Sequence, residues 1–209
     1  ESDDTLELAR AAADLWSRAV TKYDRAVPLY KRIMTARPDA AEVFEAMEQT
    51  LIAGEMWREL VDAYWTAVDA ATDTARQIDM LGRIAGVAVQ KMSDLDEAVR
   101  AFRAAIDMDP DHEIARDQLE SLLERAERWN DLLDQLQERR DRAEVAADRR
   151  VASIRIGLVQ SGPLEAIDDA IETFSVLLMD SSGDMEVVQL LEQIAEAQPD
   201  ARAQIFDVV

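Results

Sequence analysis

Slid along itself by 72 residues, the chain meets itself without a gap. Ala26 falls on Ala98 and then on Ala170, and Tyr30 falls on Phe102 and Phe174. Pro38 meets Pro110, Trp57 meets Trp129, Leu51 meets Leu123 and Leu60 meets Leu132. Arg83 meets Arg155, and Ile84 meets Ile156. A recurring unit constrains the fold strongly, because each copy must bury its apolar face against the next by the same packing. A finer unit lies inside the period. Tyr30 to Tyr64 is 34 residues and Tyr64 to Phe102 is 38, the length of two helices and two short turns.

The apolar spacing identifies the elements as helices. Val43, Met47 and Leu51 step by four, as do Leu60 and Tyr64, whereas Val, Thr and aromatic residues never alternate over a strand length. Breaks fall at Arg37-Pro38-Asp39, Gly54, Ser93-Asp94, Asp109-Pro110-Asp111, Gly162-Pro163 and Ser181-Ser182-Gly183-Asp184. Each proline disfavours helix at the residue before it. Asp39 and Asp111 are expected to cap the helices that follow, Asp39 with Glu42 at the capping-box spacing. The pattern predicts about eleven helices, beginning near residues 4, 24, 40, 57, 74, 94, 112, 130, 146, 164 and 184, with a twelfth started near 200.

The pattern resembles the tetratricopeptide repeat, a family of 34-residue helical hairpins. Ala98, Phe102, Ala105 and Pro110 match its sequence of small residue, aromatic, small residue and proline. Ala26, Tyr30 and Pro38 match three of the four, with Ile33 departing. Tyr64 and Ala67 match in the shifted unit, where Leu60 replaces the small residue, and Ala170 and Phe174 match while Leu177 and Ser182 do not. Leu132 and Leu136 make the unit from Glu113 the most divergent. Ala85-Gly86 stands where the family favours Leu-Gly. The resemblance implies an all-α fold, a right-handed α-α superhelix (solenoid) of stacked hairpins over 1–209. Its period is cut at 1–22 (partial), 23–94, 95–166 and 167–209 (partial). It also implies a scaffold that binds protein partners.

Composition narrows the partners. The net charge of −21 repels phosphate backbones and anionic membrane surfaces, so neither nucleic acid nor membrane insertion is expected. It suits a protein or peptide partner with basic segments. Arg139, Arg140, Arg142, Arg149 and Arg150 are interleaved with Glu138, Asp141, Glu144 and Asp148, which reads as an ion-paired helical face. Apolar residues make up 48% of the chain, enough for a packed core. There is no cysteine, hence no disulfide and no thiolate site. The basic residues are Lys22, Lys31, Lys91 and otherwise all Arg, a skew typical of a GC-rich genome. The first residue is Glu, so a start and a targeting signal can have preceded it.

No catalytic constellation emerges, and no cofactor or metal is expected. His112, the only histidine, aligns with Ala40 and Asp184, so capping or simple exposure is its expected role. Asp107, Asp109 and Asp111 alternate as in a calcium loop, but the glycine and distal glutamate of such a loop are missing. Trp57 and Trp129 open equivalent helices and are expected to pack between hairpins. Trp16 and Trp65 break the period, and one of them is a candidate exposed anchor.

In the family the first helix of each hairpin lines the concave face. That frame places Glu42, Glu45, Gln49, Arg83, Gln90, Asp117, Ser121, Glu124 and Arg155 there, a mixed groove suited to an extended or helical peptide. The family's cationic carboxylate clamp is not reproduced, since Ala11 and Leu15 occupy two of its positions. The run Ile205-Phe206-Asp207-Val208-Val209 is a short apolar end, and Leu6, Leu8 and Leu15 suggest a lost neighbour at the other. Solenoids close with polar caps, so a longer array or self-association through the C-terminal end is expected. A structural or oligomerising segment of a larger protein is thus the alternative to a peptide-binding scaffold.

Overall fold

The computed structural model describes residues 2–181 and 183–206. Among these the chain forms twelve α-helices and no strand. The first six are α1 (Asp3–Asp14), α2 (Tyr23–Ala36), α3 (Ala41–Ala53), α4 (Trp57–Ala70), α5 (Thr74–Val87) and α6 (Leu95–Met108). The rest are α7 (Glu113–Arg125), α8 (Trp129–Arg142), α9 (Ala146–Ser161), α10 (Ile167–Asp180), α11 (Met185–Ala197) and the short α12 (Arg202–Phe206). Two compact units divide the chain, Glu1–Arg116 and Asp117–Val209. The fold is all-helical, built from consecutive helices that pack pairwise within each unit. In the first unit each helix from α1 to α6 packs on the next in sequence, and in the second α8 to α12 do the same.

The 72-residue period reappears in the helix boundaries. Tyr23, Leu95 and Ile167 open α2, α6 and α10, and Ala41, Glu113 and Met185 open α3, α7 and α11. Ten of the twelve expected starts lie within a residue of those observed; the exceptions are α12, expected near 200 and found at Arg202 after a 3-10 turn, and α10, expected near 164 and found at Ile167. There the Ala166 N–H closes on the Gln160 carbonyl at 2.7 Å, and Glu165 takes positive φ (52°), so the joint runs three residues longer.

The joints repeat in the same way. Thr21, Ser93 and Glu165 adopt φ of 52°, 53° and 52° at one kind of turn, and Glu55 and Glu127 adopt 53° and 54° at the other. None is glycine, so each carries the Cβ strain of the left-handed region. The first kind of turn closes a wide loop. Lys22 N–H reaches the Trp16 carbonyl and Asp94 N–H reaches that of Ala88, both at 2.9 Å, after π-helical turns over Leu15–Ala19 and Ala88–Met92. The next residue of the second series is Pro199, whose ring forbids positive φ, and a 3-10 turn (Pro199–Ala201) replaces the joint. Gly54 is not the left-handed residue. It is needed because a Cβ there would lie 2.9 Å from Tyr23 Cδ2.

The expected caps shift by one residue. Ala40, not Asp39, precedes α3, with no side-chain cap. At the equivalent place before α7 the Ala115 N–H donates to His112 Nδ1 at 3.1 Å, so His112 caps and Asp111 does not. Asp184 caps α11 from the same repeat position, and Asp73 and Asp94 cap α5 and α6. The one-residue error arises because the turn after each proline is a residue longer than assumed.

Small residues and aromatics set the hairpin spacing. Ala26, Ala98 and Ala170 are fully buried, as are Tyr30 and Phe174, with Tyr64 nearly so, while Phe102 is half-buried. A Cβ on Gly157 would stand 2.4 Å from Phe174 Cζ, so only glycine fits beneath that ring. Its repeat equivalents, Ala13 and Ala85, are buried too. Gly86, by contrast, faces open space, so the Ala85-Gly86 pair owes its packing to Ala85.

Candidate functional site

Eight of the nine residues assigned to the first-helix face fall on four helices, and the ninth falls in the π turn after α5. In the first unit Glu42, Glu45 and Gln49 lie on α3, Arg83 on α5, and Gln90 in the π turn after it; all five are exposed. In the second unit Asp117, Ser121 and Glu124 lie on α7 and are exposed, and Arg155 on α9 is half-buried. Each unit therefore presents polar side chains from consecutive first helices, and within each unit an arginine ties those helices together.

In the first unit Arg83 Nη1 donates to Glu48 Oε1 at 2.9 Å, across 35 residues, and its Nε donates to Asp79 at 3.0 Å. The Tyr64 hydroxyl donates to the same Glu48 oxygen. Burial, then the Glu48 carboxylate, push the Tyr64 phenol up to about 12. Burial works against the Arg83 charge, but Tyr64, Asp79 and Glu48 outweigh it and raise its pKa. In the second unit Arg155 donates to Glu120 Oε2, again across 35 residues. Glu120 is buried, and Arg139 Nη1 donates to its other oxygen at 3.0 Å and to Asp117 at 2.8 Å. Arg83, Arg155 and Asp117 are among the residues expected on the first-helix face, and Glu48 and Glu120 are not. Both stand 35 residues before their arginines, one helix pair back, which is the signal that could have found them.

The other singled-out residues serve the joints and the packing. Beside the His112 cap, Asp109 Oδ1 accepts the Asp111 N–H at 3.2 Å, and Arg116 Nη2 donates to the Pro110 carbonyl. The stretch from Asp109 to Arg116 serves to end one helix and start the next. Among the described residues no cluster of carboxylates and histidine could hold a metal ion. Trp65 is no exposed anchor: it is half-buried, its Nε1–H donates to Glu97 at 2.6 Å, and Arg100 stacks over its ring at 4.3 Å. Lys91 stands 5.3 Å over the half-buried Trp57 ring. Arg150 of the basic cluster holds Asp184 in two hydrogen bonds (2.5 and 2.9 Å) and Glu186 in a third (2.6 Å). These bonds, Asp184's first, raise the guanidinium pKa, and Arg150 in turn holds the Asp184 carboxyl below the usual carboxylate range.

Two hollows lie over a first helix and between its flanking second helices. The one over α3, between α2 and α4, has a volume of about 470 Å³ and is walled by Met34, Phe44, Met47, Ala63 and Ala67. The one over α9, between α8 and α10, is about 760 Å³ and more polar. At the C-terminal end Ile205 is buried and Phe206 exposed, while Asp207, Val208 and Val209 lie outside the described residues, as does Ser182. Among the described residues no helix is long and apolar enough to cross a membrane.

No family model matches the chain, and no curated protein matches its sequence. Among solved structures it is similar to MamA, at 15% identity over 88% of this chain and 96% of that one, with a TM-score of 0.41. It is similar to YrrB, described as a TPR protein with an unusual peptide-binding site, at 19% identity over 88% and 90%, with a TM-score of 0.40. It is likewise similar to a tetratricopeptide repeat protein from Parabacteroides merdae, at 12% identity over 98% and 77%, with a TM-score of 0.40.

Proposed function

We propose that the chain is a non-enzymatic scaffold that binds a segment of a partner protein on the exposed faces of its first helices. In one unit that face is Glu42, Glu45, Gln49, Arg83 and Gln90; in the other it is Asp117, Ser121, Glu124 and Arg155. The carrying observation is the repeated tie, Arg83 to Glu48 and Arg155 to Glu120, which fixes consecutive first helices in one register with their polar side chains outward. A laddered polar face on rigid helices is preorganised for an extended or helical peptide. The acidic surplus favours a basic segment, through its effect on encounter and orientation.

The test begins with partners captured by the chain from extracts of its source cells. Each is titrated against the wild type and the double variant Glu45→Lys, Glu124→Lys, which leaves the arginine ties intact. A loss of about tenfold or more in affinity is expected, the size of a few lost polar contacts. Unchanged affinity for every captured partner removes the first-helix face from the reading. Concentration-dependent mass in light scattering, with no partner binding, favours the oligomerising alternative.

A further inference from the structure

The hollow over α9, between α8 and α10, corresponds 72 residues earlier to the place over α5, between α4 and α6, in the first unit. There Trp65 of α4 reaches α6, its Nε1–H donating to Glu97 at 2.6 Å and Arg100 stacked on its ring at 4.3 Å. In the second unit Gln137 stands at the tryptophan position, Asp169 at the Glu97 position and Glu172 at the Arg100 position. All three line the 760 Å³ hollow, whose size falls in the range of ligand sites. Two buried positions have turned polar with the same shift: Leu81 becomes Ser153 and Ala88 becomes Gln160, both in its lining. Their groups are settled internally, Ser153 Oγ donating to the Arg149 carbonyl and Gln160 Oε1 accepting from Thr173. What the second unit lacks is the large aromatic side chain that the same backbone holds in the first.

We propose that this hollow is a binding site for an aromatic side chain of a partner peptide, an indole, entering where the repeat itself places Trp65. Asp169 accepts the indole N–H in the role of Glu97. Glu172 replaces that stacking cation with a carboxylate, and the lining's own arginines, Arg140, Arg149 and Arg150, donate to Asp141, the Ala143 carbonyl and Asp184, so the stacking cation comes with the ligand, as a lysine or arginine beside the tryptophan. Exposed Val176 of α10, in the lining, gives the rim an apolar contact for the peptide. The site is separate from the first-helix face and stands or falls without it.

The whole chain, labelled with nitrogen-15, is titrated with N-acetyltryptophanamide and with the tripeptide amide Lys-Trp-Lys. Saturating amide shifts on α8, α9 and α10 are expected, with a Kd of order millimolar for a single side chain. Lys-Trp-Lys is expected to bind about threefold to fivefold tighter at low salt, as for exposed ion pairs. Gln137→Trp should fill the groove from within and abolish both titrations. Asp169→Asn with Glu172→Gln, both exposed positions, should lose the advantage of the basic tripeptide. No saturating shifts at about ten times the expected Kd overturn the proposal. So do shifts equally strong around the apolar hollow over α3, or unchanged binding in the carboxylate variant.

Discussion

The two tyrosine hairpins and the last phenylalanine hairpin solve one packing problem by different means. Tyr30 and Tyr64 bury a ring whose hydroxyl must find an acceptor, and each finds a carboxylate 16 residues back. Tyr30 donates to Asp14 at 2.7 Å, and Tyr64 donates to Glu48. Burial, then Asp14, push the Tyr30 phenol up to about 12; the Asp14 carboxyl, raised by burial, is pulled below its usual range by Tyr30 and Arg10. Sixteen residues before Phe102 and Phe174 stand Gly86 and Leu158, which offer no acceptor side chain and face no hydroxyl. The phenylalanine hairpin gains a closer approach instead, with Phe174 lying on Gly157 where any Cβ would collide. A hydroxyl and its carboxylate come and go together, because an unpaired polar group in the core costs more than the pair contributes.

The comparison can be broken most sharply at Gly157. Alanine there forces the Phe174 ring aside, and a loss of about 3 kcal/mol is expected in urea unfolding, the upper range for overpacking. A variant as stable as the wild type shows that the ring can move freely. Next is Phe174→Tyr, which buries a hydroxyl without an acceptor and is expected to cost about 2 kcal/mol. Leu158→Asp in the same chain supplies the missing carboxylate and should recover most of that loss. The smallest effect is Tyr64→Phe, about 1 kcal/mol, because Glu48 keeps Arg83.

The tyrosine pairs also fix a pH dependence. A phenol raised from 10 to about 12 favours the folded state in its neutral form. That stability is fully present below pH 10 and is lost as pH climbs from 10 through about 12. Tyr64→Phe should flatten the fall and remove one late step from the absorbance titration of the phenolates.

The period, the helix count and almost every helix start were legible because they rest on spacing, which a sequence displays directly. The left-handed joints were not. They sit on Thr21, Ser93, Glu165, Glu55 and Glu127, residue types that give no warning of positive φ. The caps were misplaced by one residue for the related reason that turn length depends on backbone closure. The first-helix face was legible as a list of exposed positions but not as a mechanism. Its ties run to Glu48 and Glu120, two of many acids in a chain with 44 of them. The contrast between Trp65 and Gln137 was visible in the 72-residue alignment, yet only the hollow over α9 gives it meaning.

The recurring joints bear on how such a chain can be cut and rejoined. Ser93 and Glu165 leave their helices with the same backbone turn, and α6 and α10 begin two residues after each. Excising residues 95–166 therefore joins Asp94 to Ile167 with the exit geometry unchanged, and inserting a further copy at the same seam disturbs no turn. The other series offers the same kind of seam at Glu55 and Glu127 but not at its next position, where Pro199 replaces the left-handed residue.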